Sequence, residues 1–377
     1  MDAVRETGRV IMRTKCAPLV ILLSLLPTFG CVYVANIKEA VTRPRVVHPQ
    51  EVSKIIGAIP SYTEFSYSGL CFFNKKLYAS SNIGLLEFDG GSLSQLYKWY
   101  DRDDVISGPW LDDADKSVWV MHDGMDKLIR YDGNTWSETE LPQPKEGYTR
   151  GDMLEGFRGA GTPEGFWLEG GGHAWRWNNR NSGWEPVPIP QDYPLVRFIP
   201  LPDIKLMITR HTPFPSMVSE DEDFQSDTVQ FFDKKWERVT NKTGENFFVE
   251  QVVLVNDVAY IRTTKGHILR ITPAEITKLD APGECEAMTV TTSGSLLASF
   301  RNSGIYEYKG GWNKKYSSPY PPAEGEHWAY LAESDGQVAF AVSPKPQLHE
   351  DRVKYINRAT LWLSDGDELK AVKVGER

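Results

Sequence analysis

The chain has 377 residues, enough for one large β-domain or two domains of average size. Its 12 tryptophans, 16 tyrosines and 16 phenylalanines, punctuated by 31 glycines and 24 prolines, are an all-β composition. A formal net charge of −9 argues against nucleic acid as a partner, because phosphate binding needs a basic face.

Residues 1–16 carry Arg5, Arg9, Arg13 and Lys15 against Asp2 and Glu6, and the run from Ala17 to Ala35 has no charge. A basic region before a short apolar run reads as an export signal. Three fates are open to it. The first is cleavage before Cys31 with lipid attached to that cysteine. Leu26–Cys31 resembles a bacterial lipobox in its Gly30-Cys31 pair but departs from it at Thr28 and Phe29. The second is an uncleaved anchor, since a spanning helix needs about 17–25 apolar residues, although Pro27 weakens it. The third is cleavage and release. The expectation is export to the periplasm or cell surface, with the N-terminus attached to the membrane. Residues 36–58, with Pro44 and Pro49 among charges, read as a tether. The expected organisation is a signal or anchor at 1–35, the tether at 36–58 and one domain at 59–377.

From residue 59 onward one phrase recurs: an apolar pair, a polar residue, an aromatic or apolar residue, then a tight turn. It is found at Leu85–Gly90, Leu128–Gly133, Ala174–Asn178, Val229–Asp233, Ile268–Thr272, Ile305–Gly310 and Leu361–Gly366. The copies lie roughly 37 to 55 residues apart, the period of a β-propeller with four strands per blade. A short apolar strand precedes each copy, as in Leu77–Ala79, Val118–Val120 and Leu296–Ala298. Hairpin turns such as Phe73–Lys76 come before these strands. A further strand follows, opened in four copies by Trp136, Trp184, Trp236 and Trp312. These tryptophans are expected between blades, where a large flat ring buries much area. The expected fold is all-β, a seven-bladed propeller of four-stranded blades, with strands a (inner) to d (outer).

The phrases Asn82–Gly91 (NIGLLEFDGG) and Asp126–Trp136 (DKLIRYDGNTW) resemble the repeats of two-component-regulator-type sensor propellers. The resemblance covers Tyr62 to Val374 and implies the fold more than a function. No histidine-kinase or DNA-binding pattern follows the repeats, so the chain is not read as a complete signalling protein. The turn at Tyr131–Trp136 also resembles the Asp-box of sialidase-like propellers. It lacks that motif's serine and its residue between Asp and Gly, and Asp-Gly predicts a type I′ hairpin instead.

In such a ring the d-to-a and b-to-c connections share one face. The long segments Pro142–Gly151, His211–Asp227, Pro319–His327 and Pro344–Ala359 all fall there, and binding loops sit on rigid scaffolds. The candidate binding residues on this rim are His122, Asp123, Arg150, Glu169, Arg210, His211, Arg262 and Arg301. Asp103, Asp104, Asp152, Glu250 and Glu284 lie at the same end, with His173 and His327 near. Arg210, Arg262 and Arg301 come from consecutive blades and could hold a carboxylate or phosphate. The alternative is that they bridge acidic neighbours.

No Gly-x-Ser-x-Gly elbow, Walker sequence or zinc spacing is present, and neither a metal nor another cofactor is expected. Cys71 and Cys285 read as buried free thiols rather than a disulfide. The functional expectation is a monomeric binding module for a protein, peptide or glycan. The alternative is an exported propeller hydrolase or lyase with its site at the central channel. The chain is read as starting and ending its ring in phase, unless residues 41–56 add a latching strand to the last blade. Deleting residues 36–58 should leave the thermal unfolding midpoint within about 10 °C of the full chain. A larger fall would establish the latch.

Overall fold

A strand whose two faces are both buried reads as a continuous apolar run, and its alternate residues serve different neighbours. Ser117–His122 shows how this works here: Val118 and Val120 contribute to one core, Trp119 and Met121 to the next. Every b strand is of this kind, and Gly165–Gly170 and Leu296–Phe300 are buried along their whole length.

The computed structural model describes residues 67–372 except for several stretches, the longest being 99–105, 143–157, 188–194, 210–226 and 320–326. The expected signal or anchor, Cys31, the tether and the latching segment 41–56 lie outside the described residues. The described residues belong to one unit, Val46–Arg377, and contain no helix.

Seven large sheets follow one another along the chain, at 67–98, 106–140, 158–186, 195–238, 249–278, 285–316 and 327–371, and a separate two-stranded hairpin, Gln347–His349 with Arg352–Lys354, is inserted in the last. The large sheets are blades 1 to 7. In each, four antiparallel strands are ordered a-b-c-d as they come in sequence. The fold is therefore a seven-bladed β-propeller. The recurring phrase is strand c in all seven blades.

Each junction has its own buried core, seven in all. The core between blades 2 and 3 is aromatic. Trp119 stacks on Phe166 with ring centroids 4.5 Å apart, and Trp177 meets Trp119 edge-on. The tryptophans that open strand d lie at the junctions as expected. Trp184 Nε1 donates to Glu140 O of the preceding blade at 2.9 Å, and Trp312 Nε1 donates to Asp280 O at 2.7 Å. Trp236 packs on Trp167 and Ala174, and Trp136 packs in the core of blades 1 and 2.

The inner strands approach closely where glycine allows it. A methyl group on Gly161 of blade 3 would overlap the Leu111 carbonyl of blade 2, and one on Gly69 would overlap the Gly108 carbonyl.

Two local features differ from expectation. The turn after Tyr131 is a four-residue loop, since Tyr131 pairs with Trp136. The Asp132 carboxylate closes it, accepting from the backbone N–H of Asn134 and Thr135 at 2.9 and 2.7 Å and from the Thr135 hydroxyl at 2.7 Å. Local side-chain capping there outcompetes the two-residue type I′ turn. Blade 5 gains a fifth strand: Thr240–Asn241, leaving blade 4, pairs in parallel with the outer strand Glu275–Lys278. By contrast, the turn Phe73–Lys76 has Asn74 and Lys75 both left-handed, at φ 51° and 63°, as a type I′ hairpin requires.

The ring closes in phase among the described residues. Blade 1 begins with Tyr67–Phe73, and blade 7 ends with Glu368–Ala371. Their shared core holds Tyr67, Phe72 and Leu86 against Ala339, Ala341 and Leu361. Ser343 clasps the junction: its Oγ accepts from Tyr67 N at 2.6 Å and donates to Tyr67 O at 3.1 Å. Ser343 is fully buried, so removing its hydroxyl takes away two buried hydrogen bonds to the Tyr67 backbone. Ser343→Ala should lower stability by about 1–3 kcal/mol. In urea unfolding the midpoint should fall while the slope stays unchanged.

Candidate functional site

At the loop-bearing end, five inner strands shift register against strand b within their first residues: Tyr67–Phe73, Ile106–Asp112, Leu195–Pro200, Val249–Val255 and Cys285–Val290. A bulge leaves one residue unpaired and re-aims its side chain, commonly beside functional sites. In blade 5 the residue displaced this way is Glu250, and in blade 6 it is Glu286.

Both glutamates are paired at the channel mouth. Glu250 Oε2 meets Arg262 Nη1, at the end of strand b of the same blade, at 2.5 Å. Arg262 and Glu250 side chains are 22% and 37% exposed, so water reaches this pair. Glu286 Oε1 lies 2.8 Å from His327 Nε2, the first residue of blade 7, with both side chains nearly buried. A carboxylate only accepts, so Nε2–H donates and bridges blades 6 and 7. From blade 3, Arg158 Nη1 reaches past blade 4 to the Glu250 carbonyl at 3.4 Å. The Gln251 amide exchanges two hydrogen bonds with the Met288 backbone of blade 6, at 2.7 and 3.0 Å.

Two protonated groups complete the mouth. Burial pushes the Tyr330 phenol up to about 12, with the nearby Arg262 pulling the other way. Burial also pushes the Cys285 thiol up to about 12, against a smaller downward pull from Arg262. Tyr330 therefore remains a hydrogen-bond donor at neutral pH. Trp328 stands on the same strand, on the side shared with Tyr330 and Ala332, and is 43% exposed.

Of the sequence candidates, Arg262 is at the centre of this cluster. Glu169 is buried at the end of strand b of blade 3, opposite Arg158. Arg301 follows strand b of blade 6, and its backbone N–H donates to Glu284 O at 2.9 Å. His122 ends strand b of blade 2, opposite Lys127. Asp123, Arg150, Arg210 and His211 lie outside the described residues. Arg158, Glu286, Tyr330 and Trp328 were not among the candidates. A glutamate one residue inside an apolar strand, as in Val249-Glu250 and Cys285-Glu286, was the available signal for the two bulges.

No family model matches the chain, and no curated protein matches it. Among solved structures, it is similar to the extracellular domain of a putative one-component system from B. thetaiotaomicron. Identity is 14% and the TM-score 0.49, over 75% of this chain and 38% of that one. It is also similar to the extracellular domain of a putative hybrid two-component system from B. thetaiotaomicron, at 13% identity and a TM-score of 0.48, over 80% and 44% of the two chains. An acylaminoacyl peptidase from Pyrococcus horikoshii matches at 12% identity and a TM-score of 0.50, over 83% and 53%. The chain thus spans less than half the length of the first two and about half of the third. At these identities the likeness shows the propeller fold alone.

Cys71 and Cys285 are both buried thiols outside any disulfide. Cys285 and Tyr330 keep their protons in the folded state to about pH 12, whereas unfolded they lose them from 9.0 and 10.0 upward. The unfolded state therefore binds fewer protons across that window, and stability falls as pH rises through it. Each group contributes a slope of about 1.4 kcal/mol per pH unit between its two values. Chemical denaturation between pH 8 and 11 should show midpoints that decline above about pH 9. A flat profile would contradict the burial of these groups.

Proposed function

We propose that this propeller is a binding module. Its loop-bearing face recognises a protein, peptide or glycan, and the chain is exported and held at the cell envelope by its N-terminal segment. The observation that carries the reading is Trp328, the one exposed tryptophan among the described residues, which directly follows His327 of the Glu286–His327 pair in sequence. The other described tryptophans are spent in the junctions between blades. An exposed amphipathic ring is the kind of side chain that dominates recognition hot spots. The glutamates of the mouth are already engaged, by Arg262 and by His327, which suits a surface that orients a partner. The basic-then-apolar residues 1–35 support export.

A second reading has its own observation. Arg262, Glu250, Glu286, His327 and Tyr330 come from three blades, as catalytic groups of a propeller enzyme with a channel site would.

Both readings meet one experiment. The full chain, Trp328→Ala and Arg262→Met are applied to immobilised panels of peptides and glycans, and each bound species is recovered and weighed by mass spectrometry. The binding module predicts a species whose retention falls at least about tenfold in Trp328→Ala, the scale of a hot-spot aromatic, and which is recovered intact. A species recovered cleaved moves the assignment to the enzyme. A panel on which wild type and both variants behave alike removes the loop-bearing face as the site.

A further inference from the structure

Blade 5 carries a second feature on the loop-bearing face. A cavity of about 260 Å³ lies between the segment entering the blade and the blade's own b-to-c turn. Its apolar floor is Phe247 and Leu269, 5% and 2% exposed. Glu245, His267 and Lys278 stand at its lip. The cavity shares no residue with the channel mouth, so its role does not depend on the reading above.

The three polar groups form a loose triangle. Lys278 Nζ is 3.2 Å from His267 Nε2 and 3.5 Å from Glu245 Oε1, and His267 Nδ1 is 3.4 Å from Glu245 Oε2. An ammonium can only donate, so Nε2 accepts from Lys278 and the imidazole proton sits on Nδ1, facing the carboxylate. Two donors thus converge on one carboxylate at the edge of an apolar cavity. Their distances exceed the roughly 2.7–2.9 Å of a well-formed charge-assisted hydrogen bond. The side chains are 46%, 32% and 38% exposed for Glu245, His267 and Lys278, so water competes for every contact. A carboxylate held this weakly can be exchanged for another.

We propose that this cavity binds a small organic acid with an apolar body. The ligand's carboxylate takes the two donors from Glu245, and its body enters the mostly apolar cavity, whose lining includes Phe247, Phe248 and Leu269. The charge favours an acid over an amine, because Lys265 also lines the cavity beside Lys278. The mostly apolar lining favours a ligand whose body is hydrocarbon. The volume is below the roughly 300–1,000 Å³ of drug-sized pockets, so the body is limited to about one ring or a branched chain.

The test is isothermal titration calorimetry of the full chain with 3-phenylpropionate and its amide. The acid should bind and the amide should bind at least about tenfold more weakly, since only the acid forms charge-assisted bonds. Lys278→Met should abolish acid binding. Glu245→Gln should tighten it about five- to tenfold, because the competing charge is gone. Arg262→Met should leave it unchanged. Thermal unfolding midpoints verify that each variant is folded, and Lys278 and Glu245 are exposed enough to be replaced without loss of the core. Equal affinity for acid and amide overturns the proposal. So does acid binding that survives Lys278→Met, or the absence of heat with both wild type and Glu245→Gln. Acid binding lost in Arg262→Met and kept in Lys278→Met would place the acid at the channel mouth and refute the cavity.

Discussion

A four-stranded sheet has two faces, and in this ring each face is covered only by the next blade. No helix and no second layer serves the purpose among the described residues. Each of the seven junctions must therefore be an apolar core in its own right, and the circle must close, or blades 1 and 7 would each expose a face. This explains why the middle residues of the central strands are buried on both faces rather than on alternate ones. It also explains why the tryptophans gather at the junctions. An indole fills the widening gap between diverging blades and can donate Nε1–H to the neighbour's backbone, as Trp184 and Trp312 do.

The same geometry crowds the centre. Blades that diverge outward converge inward, and glycines at Gly69 and Gly161 let backbones approach where a methyl group would not fit. At the loop-bearing end the inner strands relieve the crowding by shifting register. Those shifts are also what turn Glu250 and Glu286 to their partners. The site residues are thus positioned by a packing requirement of the fold. The polar clasps of Ser343 on Tyr67, Gln251 on Met288 and Asp227 on Val249 belong to the same solution: backbone groups freed near the inner strands are satisfied by a side chain from the adjacent blade.

The blades were legible because their signal is periodic and compositional. The seven phrases ending in a turn are strand c in every blade, and the apolar triplets before them are strand b. The tryptophans after the turn were legible as junction residues for the same reason. The bulges were not read, because an extra residue in one strand is decided by hydrogen bonding to its neighbour, and the trace it left, a glutamate one residue inside an apolar strand, reads equally as ordinary strand alternation. So Arg262 could be named as a rim residue from its place at the end of strand b, while Glu286 could not. Arg158 reaches the Glu250 carbonyl from two blades away, a contact that only the closed ring creates. The loop at Asp132 was misjudged because Asp-Gly favours two turn geometries. The side chain of Asp132, with three donors within reach, decided between them.

Blade 5 differs from its neighbours in how it is entered. The chain leaving blade 4 first pairs Thr240–Asn241 with the outer edge of blade 5 and only then turns inward to Val249. The Asn241 amide donates to Glu245 O at 3.0 Å, and the Thr243 hydroxyl accepts from Glu245 N at 3.2 Å. These bonds hold the backbone of Glu245 while its carboxylate remains at the surface. Strand addition on the outer edge, with its turn, thus places an acidic side chain at the lip of a cavity lined by Phe247, opposite His267 of the blade's b-to-c turn and Lys278 of its outer strand. The channel mouth and the blade 5 cavity follow from one rule. Where the repeat is kept, residues are consumed in sealing junctions; where it is broken, by a bulge or by an added strand, polar groups leave the junction pattern and pair with one another instead.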